Sequence, residues 1–198
     1  MVLTLRAADR AAVPWKNGGG VTREVARYPV HSDLTTFDWR VSIAEVHSSG
    51  LFSAFPGVDR RMAVLAGRLS LSIEGREVIA VCPDTPPVSF PGDVAASAEP
   101  VGAAVTDLNV MTRRGSFESR LSRRLLPGPA SLTLRAQTTL ILALSPLALR
   151  CQAGRADLAQ LDAALLERAQ ECEVLPRDSH GAFYLIELLG CPPAASVR

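Results

Sequence analysis

The sequence predicts an all-β protein, and its clearest element is the stretch from residue 52 to residue 75. Pro56-Gly57 marks a turn, the residues from 62 to 65 form a short apolar run, and Gly67 ends that run. Beyond the glycine, apolar and polar residues alternate with the period of a strand that is buried on one face. The two runs are therefore predicted to pair as a hairpin through Gly67.

Three further segments each combine an apolar face with a polar or small face. The polar faces carry Thr22 and Glu24 in PWKNGGGVTREV, Arg40 and Ser42 in FDWRVSIAEV, and Asp107 and Asn109 in TDLNVMTRRG. Exposure to solvent would explain any one of these faces. In a barrel open at one end, however, one face of every strand looks into a shared lumen. These side chains are therefore predicted to line a small-molecule cavity that holds both signs of charge.

The segment PWKNGGGVTREV, residues 14–25, predicts a tight turn. Asn17 is followed by three glycines, which tolerate positive φ and close approach of other groups to the backbone. A phosphate-binding loop is excluded because its lysine follows the glycines, whereas Lys16 precedes them. Lys16 is also the only lysine beside twenty arginines. Either a compact ammonium is needed at this turn, or the residue is a chance choice in a solvated loop.

Composition limits the classes of function. A chain of 198 residues with 47% hydrophobic content can bury one good core, as a single unit or two fused halves. A net charge of +1 gives no reason to expect nucleic acid or an anionic membrane as a partner. The chain has no apolar run of membrane-spanning length, and its N-terminus lacks the apolar stretch of a signal peptide. We therefore expect a cytoplasmic protein.

The cysteines and histidines indicate no cofactor. The four cysteines are widely separated and are predicted to be buried free thiols: Cys82, Cys151, Cys172 and Cys191. His31, His47 and His180 are equally isolated, and their spacing supports no metal site.

The last third of the chain is predicted to add more strands, at residues 131–134, 139–144, 147–152 and 182–189. Residues 158–168 are ambiguous between a helix and a turn at Asp162 followed by a strand. Residues 112–131 are rich in arginine and are predicted to be a connector between two halves. This basic run is either a solvated face or a contact surface.

The motifs PWKNGGGVTREV, FDWRVSIAEV, FSAFPGVDRRMAVLAG, FPGD and TDLNVMTRRG, in this order, resemble the HutD/Ves family of bacterial proteins. The resemblance implies a bicupin, two RmlC-like jelly-roll barrels, with an N-terminal barrel at 1–115 and a more divergent one at 116–198 that can share strands with it. It also implies a regulatory role in histidine utilisation through binding of N-formylglutamate or urocanate. It establishes no enzymatic activity.

The resemblance also lets the 52–75 stretch be compared with the metal-binding signature of cupins. Many cupins place two histidines and a glutamate before this element and a third histidine after the PxG turn. Here Phe55, Asp59 and Arg60 occupy the approach, and no histidine follows Gly92. Asp59 with Glu24 and Asp107 could hold a hard cation through oxygen, but without the histidines a metal-free pocket is favoured.

The sequence thus predicts a pocket for a small carboxylate, centred on Arg40, because arginine matches carboxylate with paired donors. A buried Arg40 needs a partner, and Glu24 and Asp107 are the inward-facing carboxylates. The candidate ligand-binding residues are Lys16, Asn17, Thr22, Glu24, Arg40, Ser42, Phe55, Asp59, Arg60, Asp107 and Asn109.

Two other classes of function remain open, and one further expectation rests on analogy. The first class is a cupin enzyme, an isomerase, epimerase or metal-dependent dioxygenase. In such an enzyme paired groups, Glu24 with Lys16 or Asp59 with Asp107, would move a proton. The second is a protein-interaction module that uses Arg120, Arg123 and Arg124. Homodimerisation is expected only by analogy with barrels of this architecture, whose exposed edges often pair.

Overall fold

The computed structural model describes residues 1–191, in which the chain forms β-strands joined by turns and loops and contains no helix. The all-β prediction is confirmed over this range. The strands group into two units, one formed by Ala11–Phe117 and the other by Met1–Arg10 with Glu118–Cys191.

The Ala11–Phe117 unit consists of two antiparallel sheets. The six-stranded sheet has the order β2 (Ala12–Pro14), β3 (Gly20–Tyr28), β4 (Trp39–Val46), β11 (Val105–Arg113), β6 (Val58–Ala66) and β9 (Val88–Pro91). The four-stranded sheet has the order β5 (Gly50–Leu51), β10 (Ala96–Pro100), β7 (Leu69–Ile73) and β8 (Ile79–Val81). Apolar side chains from both sheets meet in one core, for example Met62 and Val64 from β6 with Leu69 and Leu71 from β7.

The predicted hairpin through Gly67 is wrong. β6 pairs with β11 and β9, whereas β7 pairs with β10 and β8, so the two strands lie in different sheets. Gly67, at φ 83°, lies in the short connection that leads the chain from one sheet to the other. Both strands bury an apolar face, and the chain satisfies both by placing them on opposite sides of one core.

The second unit also contains a five-stranded and a four-stranded sheet. The first has the order β1 (Val2–Leu5), β17 (Ala163–Glu167), β14 (Thr138–Ala143), β19 (Gly181–Gly190) and β12 (Phe117–Leu126). The second has the order β13 (Ala130–Leu134), β18 (Gln170–Pro176), β15 (Leu147–Cys151) and β16 (Gly154–Leu158). Buried apolar side chains from both sheets, many of them leucines, form its core. Met1–Arg10 joins this unit because β1 pairs with β17, whereas the sequence-based boundary placed these residues in the N-terminal barrel.

The last third of the chain contains the strands that the sequence predicts. The four predicted strands correspond to β13, β14, β15 and β19. The ambiguous stretch 158–168 contains a turn and then β17, as in the strand alternative. Asp162 holds this turn by accepting hydrogen bonds from the backbone N–H groups of Ala7 and Ala159. The prediction of a connector at 112–131 is wrong for its central part, because β12 is a regular strand there.

The prediction of four buried free thiols is also wrong. Cys151 and Cys172 are joined by a disulfide, and their Cα atoms are 4.1 Å apart because the two residues are directly opposite each other on β15 and β18. Cys82 and Cys191 are free but only partly buried. The pairing depends on strand register, which the spacing of cysteines along the chain does not reveal.

In residues 1–191 the structure has no helix of the length and apolarity that a membrane crossing requires.

Candidate functional site

A cavity of about 900 Å³ opens within the Ala11–Phe117 unit, along one face of its six-stranded sheet. Ten of the eleven residues predicted from sequence line it. They are Lys16 and Asn17 on the β2–β3 turn, Thr22 and Glu24 on β3, Arg40 and Ser42 on β4, Phe55 on the loop before β6, Arg60 on β6, and Asp107 and Asn109 on β11.

Asp59 is the exception, and its assignment to the site is corrected. Residues alternate between the two faces of β6, so Arg60 points into the cavity and Asp59 points away from it. Asp59 is exposed and accepts a hydrogen bond of 3.0 Å from Arg114 Nη1. The suggested set of three carboxylates, Asp59 with Glu24 and Asp107, is therefore not brought together.

Strand register places three arginines in one row across the sheet. Arg27 lies opposite Arg40, Arg40 lies opposite Met111, and Met111 lies opposite Arg60. Neighbouring strands are about 4.8 Å apart, so Arg40 and Arg60 flank Met111 with a backbone separation of about 10 Å. All four side chains line the cavity.

Arg27 was missed by sequence reasoning because of an irregularity in β3. The ladder between β3 and β4 shifts register between Glu24 and Ala26, and this bulge brings Arg27 opposite Arg40. Strict alternation from Glu24 would have turned Arg27 away from the cavity. The alternating charges of Arg23, Glu24 and Arg27 were the available signal, and they do not specify a bulge.

The first two arginines of the row share one carboxylate. Arg40 Nε donates to Glu24 Oε2 at 2.8 Å, and Arg27 Nε lies 3.2 Å from Glu24 Oε1. The Arg40 side chain is 11% exposed, whereas that of Glu24 is 32% exposed. Of the two carboxylates predicted to be available to Arg40, Glu24 makes this contact, whereas Asp107 accepts a hydrogen bond from Asn109. Since one carboxylate serves two guanidinium groups, this part of the cavity keeps a positive excess.

Arg60 forms the most buried cationic group of the cavity and is only 4% exposed. Its Cζ lies 4.6 Å from the ring centroid of Phe52 and 5.0 Å from that of Phe90, a cation–π arrangement. Its Nη2 donates to Asn109 Oδ1 at 2.8 Å, while its buried Nε has no partner. Burial lowers the pKa of Arg60 to about 10, opposed by the charge of Asp107 and reinforced by that of Arg40. The guanidinium remains charged at neutral pH.

Asp107 forms the other pole of this buried network and is fully buried. Its Oδ1 accepts a short hydrogen bond from Asn109 Nδ2, so Asn109 bridges Asp107 and Arg60. Its Oδ2 has no hydrogen-bond partner. Burial raises the pKa of Asp107 to about 7, and Arg60 and the Asn109 hydrogen bond limit the rise.

The rim of the cavity combines a rigid turn with exposed apolar side chains. The predicted turn at residues 15–20 is present: Trp15 N–H donates to Gly20 O, and Gly19 N–H donates to Asn17 Oδ1. Trp15 Nε1 also donates to Thr22 Oγ1 at 2.8 Å, which ties the turn to β3. Three apolar side chains that line the cavity are more than half exposed: Val13, Leu34 and Leu51.

The donors of the cavity do not fit a metal ion of the kind cupins hold. Among the described residues that line it, Lys16, Arg27, Arg40 and Arg60 bring four positive charges, against the two carboxylates Glu24 and Asp107. Glu24 is engaged by two arginines, and no histidine lines the cavity. Within residues 1–191 no group of three histidine, cysteine, aspartate or glutamate side chains is arranged to ligate a metal. This electrostatic environment favours an anion.

Comparison with known proteins agrees with the motifs of the sequence. The HutD family model matches residues 7–182, which is most of the chain. The chain belongs to the HutD family. An uncharacterized 21.2 kDa protein in the hutC 3' region of Pseudomonas putida is 35% identical over 188 residues, covering 93% of this chain and 96% of the relative. Protein Ves of Citrobacter koseri is 36% identical over 109 residues, covering 54% of this chain and 56% of the relative.

Solved structures of HutD relatives share the whole fold. The protein PA5104 of Pseudomonas aeruginosa PAO1 superimposes with a TM-score of 0.88 at 29% identity, covering 96% of this chain and 99% of the relative. HutD from Pseudomonas fluorescens SBW25, in a formate condition, gives 0.82 at 28% identity, covering 97% and 100%. A point mutant of the oxalate decarboxylase of Bacillus subtilis gives 0.69 at 10% identity, covering 93% and 76%, a likeness of fold alone. The predicted bicupin fold is confirmed.

Proposed function

We propose that this HutD-family protein binds a small carboxylate intermediate of histidine catabolism in the cavity of its Ala11–Phe117 unit and thereby modulates histidine utilisation. N-formylglutamate and urocanate are the two intermediates that the family resemblance implies. Binding needs no metal in this proposal, because the cavity supplies positive charge from its own side chains.

The observation that carries the proposal is the convergence of Arg40 and Arg60 on one cavity. The two side chains line the cavity from the same face of the sheet, with Arg60 buried and Arg40 partly buried. Burial is the main cause of the lowered pKa of Arg60, and the positive charge of Arg40 adds to it. A carboxylate between them would offset the two positive charges and accept charge-assisted hydrogen bonds. Lys16 and Arg27 on the cavity wall offer a second position for an anionic group, which suits a dicarboxylate such as N-formylglutamate.

The link to histidine is supported by the family and by its relatives. The family model is that of HutD, and the protein of Pseudomonas putida is named for its position in the hutC 3' region. The relatives' names specify neither a ligand nor a reaction, so the ligand must be found by measurement.

Titration calorimetry of the purified protein with N-formylglutamate, urocanate and glutamate tests the proposal. We expect heat of binding with at least one of the first two, and loss of that heat in Arg60→Gln. Arg61→Gln is the matched control, because Arg61 is the next residue on β6, does not line the cavity and donates to Ser89 Oγ at 2.6 Å. Absence of heat from all three probes up to millimolar concentration would exclude this ligand class.

An isomerase or epimerase is a second candidate, favoured by one observation. Asp107 lines the cavity with a pKa of about 7, which suits a group that exchanges protons at neutral pH. Such an enzyme would remove a carbon-bound proton from its substrate. Incubation of each probe with the protein in D₂O, followed by proton NMR, would reveal exchange at carbon, and an unchanged spectrum would favour binding alone.

A further inference from the structure

Two polar side-chain atoms of residues that line the cavity have no partner within the described chain. They are Asp107 Oδ2 and Arg60 Nε, at the two ends of the network that Asn109 bridges. Both residues are almost completely buried and line the cavity. Buried polar groups in folded proteins nearly always have partners, so an unpartnered carboxylate oxygen beside a ligand cavity indicates where a ligand atom belongs.

We propose that the ligand of this cavity presents an N–H donor to Asp107 Oδ2 while its carboxylate is held by arginine. The inference rests on the proposed function and narrows its ligand class from small carboxylates to carboxylates that carry an amide or imidazole N–H. Asp107 is then a specificity-determining residue. A simple dicarboxylate of the same length lacks the donor and leaves Oδ2 unpartnered.

The alternative arrangement, in which a ligand carboxylate faces Asp107, is less consistent with the charges around it. Two carboxylates in contact repel each other unless one is protonated. The arginines that could hold the ligand's carboxylate are Arg27, Arg40 and Arg60, and their row crosses β11 at Met111. Asp107 lies four residues away from Met111 on the same strand, beyond Asn109. Directly across from Asp107 on the neighbouring strands are Ala44 and Val64, which offer no hydrogen bond from their side chains.

The two arrangements differ in whether the protein releases or takes up protons when the ligand binds. The other charged residues that line the cavity with Asp107 are Arg60 on β6, Arg40 on β4, Arg27 and Glu24 on β3, and Lys16 on the β2–β3 turn. With a pKa of about 7, Asp107 is about half protonated at pH 7. An N–H donor stabilises the ionised carboxylate and releases about half a proton per ligand, whereas a facing carboxylate causes proton uptake.

Calorimetry at pH 7.0 with matched probes tests the inference. The first pair is N-formyl-L-glutamate and its ester isostere 2-formyloxyglutarate, in which oxygen replaces the N–H. The second pair is urocanate and 3-(3-furyl)acrylate, in which the furan lacks the imidazole N–H. Each titration is run in phosphate and in Tris, whose different protonation enthalpies give the number of protons exchanged. Asp107→Asn is compared with the control Asp59→Asn, whose carboxylate lies outside the cavity.

We expect the N–H member of one pair to bind at least about 10-fold more tightly than its isostere, the strength typical of a hydrogen bond to a charged group. It should release about half a proton, and this release should disappear in Asp107→Asn but persist in Asp59→Asn. Equal affinity within each pair, or proton uptake, overturns the inference while the proposed function stands. If no probe of either pair binds, the proposed function fails, and the inference fails with it. The isostere comparison and the sign of proton exchange need only the wild-type protein, so they decide the matter even if Asp107→Asn does not fold.

Discussion

Asp107 should make the ligand-free protein less stable as the pH rises, and this can be measured directly. Burial raises its pKa from 3.8 to about 7 in the folded state, and Arg60 and Asn109 only partly oppose the rise. The folded protein therefore binds a proton that the unfolded chain has already released between about pH 4 and pH 7. The free energy of unfolding decreases with pH wherever the folded state holds more protons.

The size of the effect follows from the width of this window. Each pH unit inside it costs about 1.4 kcal/mol, so a rise of about three units corresponds to as much as about 4 kcal/mol. This loss of stability is absent below about pH 4, where Asp107 is protonated in both the folded and the unfolded state. It is complete above about pH 8, where Asp107 is ionised in both states. This sign is opposite to that of a salt-bridged aspartate, because burial rather than pairing dominates at Asp107.

The assay compares urea unfolding of the wild type, Asp107→Asn and Asp59→Asn at several values between pH 4.5 and pH 8. Asparagine keeps the shape of the side chain but does not titrate. The wild type should lose stability relative to Asp107→Asn as the pH rises, whereas Asp59→Asn should follow the wild type. Differences between variants remove the contributions of the other carboxylates. A difference between wild type and Asp107→Asn that stays constant within about 0.5 kcal/mol across this range would refute the reasoning.

Two further predictions concern the polar residues of the cavity and the glycine at the start of β3. Arg40→Ala is expected to abolish carboxylate binding, whereas Asn109→Ala should weaken it by about 1–3 kcal/mol for a lost buried hydrogen bond. Calorimetry gives the ligand affinity of each variant, and urea unfolding gives its stability. A folded Arg40→Ala with unchanged affinity would show that Arg40 only supports the fold. Gly20→Ala is expected to lower the free energy of unfolding by about 1–3 kcal/mol, because its Cβ would collide with the carbonyl oxygen of Glu45 and crowd the Trp15 ring at 3.1 Å. The matched change Gly128→Ala meets no atom within 4 Å and, like Gly20→Ala, falls at a glycine without a positive φ. Equal losses in both variants would contradict the steric argument.

Side-chain alternation was enough to predict the inner face of the central strands. Thr22 and Glu24, Arg40 and Ser42, and Asp107 and Asn109 all line the cavity, because successive side chains of a strand point to opposite faces wherever the strand is regular. The same rule did not decide whether Asp59 or its neighbour Arg60 points into the cavity, and it turned Arg27 away from the cavity. The first depends on which face of β6 turns inward, and the second depends on a bulge.

The sequence by itself thus determined that the chain is all-β, which residues of its central strands share a face, and to which family its motifs belong. Local periodicity and motif order carry this information, since each is set by neighbouring residues. Only the tertiary structure decided that Arg60 packs against the rings of Phe52 and Phe90, that Asn109 bridges it to Asp107, and that Asp107 keeps an unpartnered oxygen. It also decided the Cys151–Cys172 pairing and the separation of β6 from β7. These features depend on register and on which sheet receives each strand, and distant segments of the chain set both when they pack around a common core.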